Sequence, residues 1–257
     1  MDKYINKDTV NLYARTNEEL ITTKVRGIVV EFPGLGGNSC LGGLMELGTY
    51  DDEFARKCAA NRIVLAYMFC GPWSWMNKGA VKMTDAVVDA IREKYALGSE
   101  TPIAVCGGSM GGLGAIIYSV DTKHTIAACA AACPCCDVLD RFHCKESFAR
   151  TFIRAVADYD MPMEEALKTI SPMHRIGDMK KIPYFLVNCC DDEVFPEAQL
   201  DEYVEKLEER GHNVVYRKMP GKKHGEFFPE VKAELKEFLL LYAGEANALQ
   251  KGKPANF

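Results

Sequence analysis

Apolar residues in this chain fall into short runs separated by stretches of helical spacing. VRGIVVEF (25–32) is rich in β-branched residues and ends at the glycine loop PGLGGNS, the pattern of a buried strand feeding a turn. RIVLAYMF (62–69), PIAVCG (102–107), TIAACAAA (125–132), IPYFLVNCC (182–190) and HNVVYRKM (212–219) read as further strands. Between them the period changes. Residues 48–61 place Phe54, Ala55, Cys58 and Ala59 at helical spacing, and 80–97 do the same with Val81, Val87, Val88, Ile91 and Tyr95. Helices are also predicted over 110–120, 197–211 and 227–243, with Leu200, Tyr203, Val204 and Leu207 inward on the second and Gly211 suited to its C-terminal cap. Strands alternating with helices imply right-handed βαβ units and a mostly parallel central sheet flanked by helices. The rhythm breaks between 134 and 181, where helices are predicted near 146–158 and 163–170. The simplest organisation is one α/β domain over 1–257 with a short helical cap insertion at about 137–180.

Composition narrows the function classes. The chain has 257 residues, 48% of them hydrophobic, enough for a sizeable core. The formal net charge is −5 and no dense Lys/Arg stripe appears, so nucleic acid is not an expected partner. The polar N-terminus MDKYINKDTVNLYARTNEEL lacks the apolar core of a signal peptide, and no apolar run is long enough to span a bilayer. Eleven cysteines, an odd number in a large chain without a leader, point to reduced thiols and a cytoplasmic location. No membrane is expected as a partner, and a homo-oligomer stays open.

The chemistry sits in the glycine loops. CGGSMGG (106–112) falls between a predicted strand and a predicted helix, which matches the G-x-S-x-G nucleophile elbow. That turn lifts Ser109 above the sheet, and Gly107 and Gly111 let strand and helix approach closely. Serine needs a base to take its proton, and the base needs a partner that fixes its tautomer and its charge. PGKKHGEF places His224 after the last strand, and NCCDDEVFP places Asp192 after the one before it. The order Ser, Asp, His is the one this turn requires, and in a parallel sheet all three loops lie at the carboxyl ends of the strands.

FPGLGGNS, CGGSMGG, SPMHRIGDMKKIPYFLVNCCDDEVFP and PGKKHGEF together resemble serine hydrolases of the α/β-hydrolase fold. Within that fold the chain is similar to the carboxylesterases and to the catalytic domains of prolyl-oligopeptidase-like enzymes, over nearly its whole length from about residue 24. The resemblance implies an oxyanion hole built from backbone N–H groups: Met110, after the nucleophile, and Leu35 or Gly36 in the loop after GIVVEF. Many relatives carry His-Gly in that loop, where this chain has Pro33-Gly34. The implied reaction is hydrolysis of a small-molecule carboxylic ester through an acyl-enzyme on Ser109. It needs neither a metal nor an organic cofactor.

Other readings compete at several positions. Asp191, Asp137 and Asp140 are alternative acids, while His124, His143, His174 and His212 lie outside the loop after the last strand and read as structural or solvated. Trp73 and Trp75 in CGPWSWMN are expected to wall an acyl or alcohol pocket, against packing under the insertion. Cys129, Cys133, Cys135, Cys136, Cys144 and His143 lack the two separated ligand pairs of a zinc site, so no metal is expected. Full prolyl peptidases of the family carry a large N-terminal propeller. Here about 24 residues precede the first predicted strand, which favours an ester over a peptide. A peptidase or amidase, a non-catalytic ligand-binding homologue and acyl transfer to an alcohol or amine are the rival activities. A short cap beside large aromatic residues predicts acetyl to butyryl esters over long-chain lipids.

Overall fold

The computed structural model describes residues 4–35, 49–144 and 147–244. Their strands are β1 (Ala14–Thr16), β2 (Gly27–Phe32), β3 (Ile63–Met68), β4 (Ile103–Gly108), β5 (Ala128–Ala132), β6 (Tyr184–Cys189) and β7 (Val214–Met219). They form one sheet in the order β1-β3-β2-β4-β5-β6-β7. Every neighbouring pair from β3 to β7 is parallel, and β1 runs antiparallel on the edge beside β3. Six strands match the predicted runs. The short edge strand β1 is an addition, because ART carries no apolar run; it pairs Ala14, Arg15 and Thr16 with Met68, Tyr67 and Ala66.

Helices cover both faces. On one side lie α1 (Glu53–Ala60) and α8 (Pro229–Gly244); on the other lie α2 (Lys78–Tyr95), α3 (Met110–Asp121) and α7 (Glu197–Glu209). The alternation within β2 shows why its sequence is apolar apart from Glu31. Ile28, Val30 and Phe32 join the core beneath α2 and α3, while Val29 joins Phe54, Cys58, Phe238 and Leu239 beneath α1 and α8. Helices cover both faces, so apolar residues fill both phases of the pleat, with Glu31 the one charged residue of the strand. Each such apolar side chain contributes about 1.5–3 kcal/mol by leaving water.

The segment between β5 and β6 holds α4 (Val138–His143), α5 (Ala149–Val156), α6 (Met163–Thr169) and a 3₁₀ segment, Pro172–Asp178. It is tied down at named points. Asn77 caps α2 through Ala80 N (2.9 Å) and also donates from Nδ2 to Ala155 O (2.8 Å). Lys78 N donates to the Tyr159 hydroxyl (2.8 Å). Val138 N donates to Ser171 Oγ (3.1 Å) and Met173 N to Cys136 O (2.9 Å), closing the insertion on itself. Among the described residues no helix is long and apolar enough to cross a membrane.

Candidate active site

β4 runs directly into Ser109 and then α3. Ser109 takes φ 58°, ψ −125°, a conformation that costs a non-glycine residue about 1–3 kcal/mol. The surroundings enforce it. Ser109 N donates to Ala132 O on β5 (2.8 Å), and Leu113 N donates to Ser109 O (3.1 Å). The flanking glycines are obligatory for contact reasons. A Cβ on Gly107 would stand 2.4 Å from the Gly111 carbonyl carbon, and one on Gly111 would stand 2.1 Å from Phe32 O and 2.9 Å from Pro33 O. The second pair of distances also shows the loop after β2 running against the elbow.

The Ser109 hydroxyl lies 2.9 Å from His224 Nε2, and His224 Nδ1 lies 2.6 Å from Asp192 Oδ2. The acid is buried, with 1% of its side chain exposed against 23% for His224. Its other oxygen, Oδ1, accepts from the amides of Val194 (2.7 Å) and Phe195 (2.9 Å), so the carboxylate is held at both ends. The loops bearing acid and base are fastened together: Asp191 N donates to Lys222 O (3.0 Å) and Cys190 N to Met219 O (3.1 Å). The Cys189 thiol adds a contact to Glu226 O (3.4 Å). Gly225, beside the histidine, turns the chain at φ 78°. A carboxylate accepts only, so the imidazole proton sits on Nδ1 and the Nε2 lone pair faces the serine hydroxyl. That alignment can pull a proton from Ser109 as its oxygen attacks an electrophile. Met110 is the first residue of α3, where backbone N–H groups lack helical acceptors and the helix dipole favours negative charge.

The other candidates are placed elsewhere. Asp137 caps α4 by accepting from Asp140 N (2.9 Å), and Asp140 pairs with Arg141 and accepts from Gln199. Asp191 is exposed and contributes only its backbone to the loop contact. His124 contacts Arg92 and Asp85, His143 faces Glu164, His174 contacts Ser171, and His212 packs edge-on to Tyr184. Leu35 closes the described stretch after β2, and Gly36 lies outside the described residues. Cys129, Cys133, Cys135 and Cys136 are buried thiols and Cys144 is exposed. Burial pushes the Cys129, Cys135 and Cys136 thiols far above the ordinary range. Among the described residues no group of three or more His, Cys, Asp or Glu could hold a metal ion.

The tryptophan expectation needs correction at Trp75. Its side chain is 0% exposed, its indole N–H donates to Thr151 Oγ1 (2.8 Å), and its ring lies 4.4 Å from that of Phe152. Trp75 is therefore a core residue under the insertion and not a wall of an open pocket. Trp73, 45% exposed, stays available at the same edge. Sequence reasoning also passed over Phe195, whose ring packs on His224 at 5.3 Å. It lies inside DDEVFP (191–196), but nothing in a linear pattern reports which way its ring points.

A strained serine between β4 and α3, a histidine after β7 and a buried aspartate after β6 define a serine hydrolase of the α/β-hydrolase fold. The chain belongs to the prolyl oligopeptidase family (Peptidase_S9), whose family model matches residues 73–248. Among solved structures it is similar to puromycin hydrolase, at 19% identity and a TM-score of 0.67 over 88% of this chain. It is also similar to esterase B from Lactobacillus rhamnosis (HN001), at 11% identity and 0.63 over 91% of this chain and 81% of that one. A third is the acylaminoacyl peptidase of Pyrococcus horikoshii, at 14% identity and 0.66 over 86% of this chain and 37% of that one. The chain spans 34% of the length of puromycin hydrolase. No curated protein sequence matches it.

Proposed function

We propose that the protein hydrolyses small carboxylic esters with short acyl groups. The observation that carries the chemistry is the continuous hydrogen-bonded line from Ser109 Oγ through the His224 imidazole to the Asp192 carboxylate. His224 Nε2 takes the Ser109 proton as Oγ bonds to the acyl carbon, and Asp192 stabilises the imidazolium that forms. The Met110 N–H at the start of α3 supports the oxyanion, and the loop after β2, which includes Leu35, supplies the second donor. One such donor is worth about 3–4 kcal/mol of barrier. The imidazolium then protonates the departing alcohol. A water enters, gives its proton to His224 and releases the acid, and Ser109 recovers its hydrogen. Trp73 at the carboxyl edge of the sheet is the pocket wall in this reading and restricts the acyl group to acetyl through butyryl. The likeness to an esterase over 81% of that chain supports the ester. Free thiols among the described residues suit a reducing compartment, and the cytoplasm is the proposed location.

The likeness to puromycin hydrolase and to an acylaminoacyl peptidase favours, as a second reading, cleavage of a small amide or peptide bond by the same groups. Nitrophenyl esters from acetyl to octanoyl, run beside aminoacyl and acylaminoacyl nitroanilides, separate the two. The ester reading expects kcat/KM to be highest for acetyl to butyryl esters, to fall with chain length and to exceed that for every anilide, with all turnover absent from Ser109→Ala. An anilide preferred over all esters would replace it with the second reading. Comparable turnover by Ser109→Ala would remove both.

A further inference from the structure

An unbroken series of aromatic contacts joins the candidate base to the insertion. The Phe195 ring lies 5.3 Å from the His224 imidazole at an interplanar angle of 80°. Phe148 lies 5.8 Å from Phe195 at 79°, Phe152 lies 5.7 Å from Phe148 at 86°, and Trp75 lies 4.4 Å from Phe152 at 52°. The far end is anchored in the core. Trp75 and Phe152 are fully buried, and the Thr151 hydroxyl accepts from the Trp75 indole (2.8 Å) while donating to Phe148 O (2.5 Å). The near end is anchored to the acid, because the Phe195 amide donates to Asp192 Oδ1 (2.9 Å). One residue thus touches two members of the constellation, through its backbone at the carboxylate and through its ring at the imidazole.

Geometry gives that ring a task. The hydrogen bond from Nδ1 to Asp192 fixes one corner of the imidazole and leaves the ring able to pivot about that corner. A pivot moves Nε2, the atom that must meet Ser109 Oγ. A rigid ring packed against the imidazole opposes the pivot, and Phe195 is itself buried, at 5% exposure, with Phe148 packed edge-on against it. We propose that Phe195 is a positioning residue that sets the orientation of His224, and that Phe148 is the strut through which the insertion bears on it. The proposal rests on the serine-hydrolase reading above. It adds that docking of the helical insertion and alignment of the base are one event.

The test uses the full chain and two readouts. The first is the rate at which a small fluorophosphonate labels Ser109, together with kcat and KM for acetyl ester. The second is the low-field Nδ1 proton resonance of His224 by NMR, which reports the ring without any reaction. Phe195→Ala should lower labelling and kcat by about 10²-fold, the cost of displacing a reacting group by roughly 1 Å, with KM changed less than about 3-fold and the resonance broadened. Phe195→Tyr, which keeps the ring, should recover most of the rate. Phe148→Ala should lose about 10-fold, and the double alanine variant should be no slower than Phe195→Ala, since both substitutions break one path. Parental labelling of Phe195→Ala, or a rise in KM with a new acyl-length preference, would overturn the proposal by making the ring a substrate contact. An unchanged rate in Phe148→Ala would overturn the strut. If Phe195→Ala does not fold, Phe195→Leu and Phe148→Ala decide by the same readings. If parent and Ser109→Ala are equally inert to the phosphonate, the hydrolase reading has failed instead, and the Nδ1 resonance alone then decides whether Phe195 orients His224.

Discussion

Glu31→Gln should stabilise the protein, and by an amount that grows with pH. Glu31 lies on the inner strand β2, flanked by Tyr67 on β3 and Cys106 on β4. Burial, reinforced by the nearby negative charge of Asp52, raises its carboxyl from 4.5 to about 7. A hydrogen bond from the Tyr50 hydroxyl (3.4 Å) and the charges of Lys236 and Lys232 only partly oppose this. Below pH 4.5 both the folded and the unfolded chain hold the proton, and no penalty exists. Between 4.5 and 7 the unfolded chain ionises while the folded one stays protonated, so stability falls as pH rises. Above 7 the folded chain carries a poorly solvated charge and the penalty is complete. At 1.36 kcal/mol per pH unit of displacement the full penalty is about 3 kcal/mol. Glutamine keeps an acceptor for Tyr50 and removes the charge, so the gain over parent should be about 1 kcal/mol at pH 5.5 and about 3 kcal/mol at pH 8. The larger gain corresponds to a rise in Tm of roughly 5–10 °C for a chain of this size. Urea unfolding across that range, with the exposed Glu208→Gln as a control for net charge, measures it. A gain that does not vary with pH, or a loss at pH 8, would refute the reasoning.

Three further outcomes follow from the site and its supports. Ser109→Gly should be more stable than Ser109→Ala by about 1–2 kcal/mol in urea unfolding, because glycine accepts φ 58° without strain, and both should be inert toward esters. Asp192→Asn should lower kcat by about 10⁴-fold, since an amide holds the wrong imidazole tautomer and cannot stabilise the imidazolium, while Asp191→Asn should stay within a few-fold of parent. Equal losses in an ester assay would mean that the acid is misassigned. Trp75→Ala should cost about 3–5 kcal/mol of stability, as for any large buried ring, whereas the exposed Trp73→Ala should cost less than about 0.5 kcal/mol. Denaturation midpoints rank the two, and the reverse order would return Trp75 to the substrate pocket.

The parts of the structure that could be read from sequence are those in which a few adjacent residues settle their own geometry. The runs that become β2 to β6 are largely apolar on both faces because helices cover both sides, and β7 keeps Val214, Val215 and Tyr216 ahead of the charged Arg217 and Lys218, so six strands stand out. The elbow is legible because Gly107 and Gly111 admit no Cβ. By contrast, ART becomes β1 by pairing with the edge that Met68, Tyr67 and Ala66 offer. VLDRFH becomes α4 because Asp137 caps six residues too few to show a period. Trp75 differs again. Its partner Thr151 is 76 residues away, and the side chain that buries an indole cannot be inferred from CGPWSWMN.

The acid shows how local and distant terms divide the work. DDEVFP contains two adjacent aspartates of the same charge and propensity, and composition does not separate them. What separates them is the turn. The Asp192 carboxylate reaches forward to the amides of Val194 and Phe195 and is thereby buried, and its remaining oxygen points across the loop to His224. Asp191 instead spends its amide on Lys222 O, which draws the loop that carries the histidine alongside. The first effect depends on spacing within the loop and is visible once the motif is recognised. The second depends on β6 and β7 being parallel neighbours, so that loops leaving the same sheet edge meet. Phe195 belongs to both. Its backbone completes the turn that the sequence encodes, while its ring is aimed by Phe148, which approaches from an insertion 47 residues earlier in the chain. The orientation of the base is therefore set partly by a segment outside the strand-and-loop pattern that reveals the base, which is why the constellation is legible in the sequence and the means of its alignment is not.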